Sequence, residues 1–152
     1  MGLSAFGSGR VAVDTAIFIY YIEENPQFLP LVGPLFEEAA RGDRELVTSA
    51  VTLLEVLVVP YRAGDLALAE RYEVLLTRSR GLQLVELDRA QLRAAAQLRA
   101  THRLRTPDAL QLAAALSRGC PTFITNDRAL PELPGLRIVQ LEDRLKTRPS
   151  ES

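Results

Sequence analysis

Short apolar runs alternate with longer segments of helical periodicity, and this alternation constrains the fold of the 152-residue chain more than any other feature. The runs VAVD (11–14), LVTS (46–49), LQLVEL (82–87), PTFIT (121–125) and LRIVQL (136–141) are short and rich in apolar or β-branched residues, as strands are. Between them TAIFIYYIEE, PLVGPLFEEAARG, AVTLLEVLVVPYRAG, DLALAERYEVLLTRSRG, DRAQLRAAAQLRATHR and TPDALQLAAALSRG repeat apolar residues at helical spacing. Arg and Gly close most of them, and Gly42 stands as a C-cap. Strands separated by helices imply βαβ units. The expected class is therefore α/β, a three-layer α/β/α sandwich around a central, mostly parallel sheet.

The length suits one domain with a substantial core. Residues 1–10 read as a flexible leader, 11–145 as the domain and 146–152 as a polar tail, KTRPSES. No run is long and apolar enough to cross a membrane, and MGLSAFGSGR lacks a secretory apolar core. A single cysteine, Cys120, fits a reducing cytosol and a small buried apolar role. A cytoplasmic protein is expected. The net charge of −1 advertises no global basic field for nucleic acid and excludes none.

Four acids interrupt apolar settings. Asp14 closes the first strand signal, and Glu55 is the only charge from Leu46 to Pro60. Asp108 is the only charge between Arg105 and Arg118, and Asp127 follows the strand PTFIT. Three have structural alternatives. Asp14 could cap the next helix. Asp108 would sit at N2 if Thr106 is the N-cap and Pro107 is N1. Asp127 could begin a turn. Glu55 lies about two turns into a helix starting at Ser49, too deep for a cap. With apolar neighbours all round it should be buried and need a partner, either an arginine or a site.

Strand-to-helix junctions on one edge of a parallel sheet are where such folds build sites. Carboxylates gathered there would repel one another and raise their own pKa values, and a divalent cation removes that penalty. Oxygen donors without nearby His or Cys favour Mg²⁺ or Mn²⁺ over zinc. Such a centre, with one metal or two, can align water for in-line attack at phosphorus. Thr15, Ser49, Thr52, Thr106 and Thr125 could orient the acids or act as caps.

VAVDTAIFIYYIE, SAVTLLEVL, LRTPDALQLAAAL and TFITNDRAL, in that order, resemble the PIN domain family, most closely its VapC-type toxin members. The resemblance spans residues 11 to about 141. It implies a metal-dependent ribonuclease with Asp14, Glu55, Asp108 and Asp127 as its acidic quartet and Thr15 and Asn126 close by. It also implies a cognate antitoxin and a homodimer. Some relatives carry a further acid near the last motif, where this chain has Arg128. Arg128 could hold a phosphate or be a solvated turn residue.

Other readings fare less well. Aspartyl phosphotransferases need a second Asp where Ala16 stands, and a receiver domain needs a late lysine, whereas Lys146 is the only one. Neither GxxxxGK[ST] nor GxGxxG occurs. His102 reads as a helix C-terminal residue. The competing class is a catalytically silent binding module on the same fold, for RNA or a protein. Arg10, Arg103 and Arg105 are expected at the rim of the site, contacting RNA phosphates. The helical pair 50–79 is expected to be a dimer or antitoxin surface, or simply core.

Overall fold

The computed structural model describes Phe6 and residues 9–146. Among these residues five strands, all parallel, form one sheet in the order β3-β2-β1-β4-β5: β1 (Gly9–Val13), β2 (Arg44–Ser49), β3 (Leu82–Val85), β4 (Thr122–Thr125) and β5 (Arg137–Gln140). Each lies within or beside a run expected to be a strand. β1 is central, with Val11 opposite Leu46 on one side and Thr122 on the other.

The helices are α1 (Thr15–Ile22), α2 (Leu29–Arg41), α3 (Val51–Ala63), α4 (Leu66–Arg78), α5 (Arg89–Thr101), α6 (Thr106–Ser117) and α7 (Leu141–Lys146). Local chemistry marks several ends. Gly42 closes α2 in the left-handed conformation. Asp65 and Asp88 cap α4 and α5 by accepting from the N–H groups of Leu68 and Gln91. His102 is the C-cap of α5, its N–H bonded to Leu98 O at 2.9 Å.

Alternation along β1 sorts the core into two halves. Val11 and Val13 pack with Ile17, Phe18, Leu35, Tyr72 and Leu76 under α1, α2 and α4, whereas Ala12 packs with Val47, Leu112, Ala113 and Phe123 under α5 and α6. The result is the expected three-layer α/β sandwich. Gly81 lets the chain pass close to α2. A Cβ there would stand 2.3 Å from the carbonyl oxygen of Ala39, at a φ of +81°.

Four boundaries differ from expectation. The helix of Glu55 does not start at Ser49, which ends β2; α3 has Ala50 as its N-cap and begins at Val51. β1 begins at Gly9, inside the stretch read as a leader, and Phe6 is buried in the core. The rest of the leader, and the tail beyond Lys146, lie outside the described residues. Leu141, expected to end a strand, instead starts α7, where it is fully buried. α6 begins one residue earlier than expected. Arg105 is its N-cap and Asp108 its third residue, so Thr106 does not cap it.

Candidate active site

The strand order reverses at β1. The chain steps outward to β2 and β3, then returns to lay β4 on the other flank. Loops leaving the carboxyl ends of β1 and β4 diverge there and open a crevice. Asp14 leaves β1 at this point and Asp127 follows β4, while α3 and α6 bring Glu55 and Asp108. All four acids line one cleft of about 300 Å³, with Thr15, Ala16, Ile19, Arg105 and Gln111. The larger groove, about 580 Å³, lies between α1, α2 and α4 and contains none of the four.

Asp14 occupies the N-cap position of α1 but makes no side-chain cap bond. Its Oδ2 instead accepts the hydroxyl of Thr125, at the end of β4. The same Thr125 oxygen accepts the N–H of Asp127 at 2.9 Å, so one hydroxyl couples both aspartates. Asp14 Oδ1 is buried without a hydrogen-bond partner. Burial, foremost, pushes the Asp14 carboxyl up to about 7; the Thr125 hydroxyl and the Ala16 backbone N–H oppose this, and the charges of Asp108 and Asp127 add to it.

Glu55 is half-buried rather than buried, because α3 is not enclosed: Leu54 and Val59 are each 65% exposed. Its partner is the hydroxyl of Thr15, which donates to Oε1 at 2.5 Å, and not an arginine. Thr52 stands one layer deeper, fully buried, and bonds to Thr48 rather than to an acid. Ser49 ends β2, and its hydroxyl accepts from the N–H of Val51.

A residue not singled out in the sequence organises this layer. Gln111 Nε2 donates to Thr52 at 2.7 Å and reaches Thr15 at 3.4 Å, while its Oε1 accepts the Ser49 N–H at 3.1 Å and the Thr48 hydroxyl at 3.2 Å. Gln111 thereby fixes the β2–α3 junction and α1 against α6. The available signal was its spacing. It stands three residues after Asp108 and shares that residue's helical face.

Asp108 and Asp127 both meet Arg105. Its Nε donates to Asp108 Oδ2 at 3.2 Å, and its Nη2 stands 3.9 Å from Asp127 Oδ2. Asp127 Oδ1 also accepts the N–H of Ala129, so this acid begins a turn as well as lining the cleft. With the side chains in these positions, no three acid, histidine or cysteine side chains among the described residues form a ready-made cation cage.

Several expected neighbours are elsewhere. Asn126 turns away from the cleft, donating to the Tyr20 hydroxyl and accepting the N–H of Glu142, because it clamps the β4 loop onto α1 and α7. Thr106 accepts from Arg99 and is exposed outside the cleft. Arg10 is not at the rim. It lies at the opposite end of β1, paired with Glu45 at 2.6 Å, since parallel register puts those two residues side by side. Arg128 lies outside the cleft lining and is paired with Asp143 and Glu142 on α7. Arg103 is exposed and does not line the cleft.

The donor set fits a hard divalent cation. Every candidate ligand is a carboxylate oxygen, and a buried, unpartnered oxygen of Asp14 is available among them.

Comparison with known proteins agrees with this architecture. In fold the chain is similar to VapBC2 from Rickettsia felis, solved bound to a promoter DNA fragment, with a TM-score of 0.66 and 16% identity over 86% of this chain and 98% of that one. It is similar to a toxin–antitoxin complex from Klebsiella pneumoniae, with a TM-score of 0.61 and 19% identity over 83% and 94%. It is also similar to VapBC-5 of Mycobacterium tuberculosis, a member of a toxin–antitoxin family, with a TM-score of 0.52 and 24% identity over 87% and 98%. No curated protein sequence matches. The family model of the PIN domain matches residues 11–136, the stretch that carries the whole cleft, and the chain belongs to that family.

Proposed function

We propose that the chain is a divalent-cation-dependent endoribonuclease and the toxin of a toxin–antitoxin pair. One observation supports this above the rest: four acids from four separate segments line one cleft at the switch point, and Asp14 keeps a buried oxygen without a partner. In this reading Asp14, Glu55, Asp108 and Asp127 hold Mg²⁺ or Mn²⁺. The bound cation supplies a more acidic water and neutralises charge developing at phosphorus.

The chain's own groups position the rest. Thr125 orients the Asp14 carboxylate, Thr15 orients Glu55, and Gln111 braces the Thr15 hydroxyl and the backbone that leads into α3. Arg105, at the cleft mouth, meets the RNA backbone, with Arg103 two residues away. Their contribution fades with added salt.

The partner surface in this reading is the α3–α4 hairpin. It exposes Leu54, Val58, Val59 and Tyr61 on α3 and Leu66 and Val74 on α4, and exposed apolar side chains grouped on one element mark interaction surfaces. A homodimer or a cognate antitoxin covers it in this reading, which the likeness in fold to chains solved in toxin–antitoxin complexes supports. This single domain works in the cytoplasm in this reading; among the described residues no helix is long and apolar enough to cross a membrane.

The test is hydrolysis of structured RNA with and without Mg²⁺ or Mn²⁺. The expected result is cation-dependent cleavage that Asp14→Asn lowers on the order of 100-fold or more. Cleavage indifferent to metal or to the substitution rejects the mechanism. RNA binding without cleavage identifies a silent binding module. Sedimentation at micromolar concentration tests the dimer, and a monomer counts against it.

A further inference from the structure

We infer that Arg105 is an internal counter-cation of the acidic cleft, one that a divalent ion displaces on binding. The inference rests on the metal-dependent reading above and concerns what holds the acids before a cation arrives. Arg105 is the one cationic side chain lining the cleft among the described residues. Its guanidinium bridges acids from two different elements, Asp108 of α6 and Asp127 of the loop after β4. Both acids lean to it, in an arrangement where no three carboxylates share a point.

The side chain is built to leave. It is 78% exposed, and exposed ion pairs contribute little. Its root, by contrast, is fixed. Arg99 donates to Leu104 O at 2.9 Å and to Thr106 Oγ1 at 3.0 Å, pinning the backbone on either side of Arg105. A guanidinium and a divalent cation compete for the same carboxylate oxygens, because like charges at contact distance repel. Cation binding and release of the arm are therefore coupled, and the coupling is reciprocal. The freed guanidinium stays at the cleft mouth, where its planar fork matches a phosphate.

Calorimetric titration of the full chain with Mn²⁺ alone tests this without any activity readout. Arg105→Gln is expected to bind Mn²⁺ about 5- to 10-fold more tightly than wild type, the lower range of ordinary coupling between sites. Arg105→Lys, a point charge that cannot span two acids, is expected to fall between them. Equal or weaker binding by Arg105→Gln, with wild type binding well, overturns the inference and leaves the nuclease reading standing. If neither wild type nor Arg105→Gln binds Mn²⁺ better than Asp14→Asn, the metal-dependent reading itself fails.

Discussion

Thr125 donates its hydroxyl to Asp14 across 111 positions of chain, joining the carboxyl ends of two neighbouring parallel strands. Because Thr125 also accepts the Asp127 N–H, one side chain sets the relation between two of the four acids.

Thr125→Val keeps the shape and removes this hydroxyl. Asp14 then loses the hydroxyl donor on its Oδ2, and Asp127 loses an acceptor for its N–H. A stability loss of about 1–3 kcal/mol is expected, with a fall in RNA cleavage, whereas Thr125→Ser retains most of both. Urea denaturation measures the first and a cleavage assay the second. Equal behaviour of the Val and Ser variants would contradict the hydroxyl's role.

Asp14 makes the chelator-treated protein sensitive to pH. Its folded pKa is pushed up to about 7 from an ordinary 3.8, so the unfolded chain ionises first. Stability from this group is full below pH 3.8 and is lost as pH rises through 7. Asp14→Asn removes that loss. In EDTA at pH 8 the variant should melt above wild type, by about 2–4 °C for each kcal/mol recovered, and the gap should close at pH 4. A gap that widens on acidification would reverse the sign and refute the assignment.

Gln111→Leu fills the same space without hydrogen-bonding atoms. Thr48 and Thr52 still bond each other at 2.7 Å, but the buried Ser49 N–H loses its acceptor. A loss of about 1–3 kcal/mol is expected. Cleavage should drop further than stability at 25 °C explains, because Thr15 and Glu55 lose their common support. Wild-type turnover in a folded Gln111→Leu protein would show that the support is dispensable.

Two glycines with similar backbone angles separate space from conformation. Gly81 has φ +81° and no room for a Cβ, whereas Gly64 has φ +70° and nothing within 4 Å. Ala at Gly64 should cost about 1 kcal/mol. Ala at Gly81 must also push the Ala39 carbonyl aside, and should cost about 3 kcal/mol or more. Thermal melts of the two variants check the difference.

Legibility divided along physical lines. Strands and helices could be read because periodicity is local. Val11, Ala12 and Val13 face alternate sides of the sheet wherever the strand is placed, and Gly42 caps α2 by its own backbone freedom. The four acids could be read because an isolated charge in an apolar run is costly and stands out. Hydrogen-bond partners could not. Thr106 and Asn126 sit beside acids in the chain yet point to Arg99 and Tyr20. Gln111, without charge, gave no sign beyond its spacing from Asp108.

By itself the sequence determined an α/β chain with lone carboxylates set in apolar runs, because covalent spacing and apolar period decide such things within a dozen residues. Tertiary structure alone decided which side chains meet. Parallel register sent Arg10 to the far end of the sheet beside Glu45, and the reversal at β1 brought Asp14 to Thr125 and Asp127. The α6 N-terminus put Arg105 between Asp108 and Asp127. Those meetings depend on strand order and helix packing, and neighbours along the chain carry no record of either.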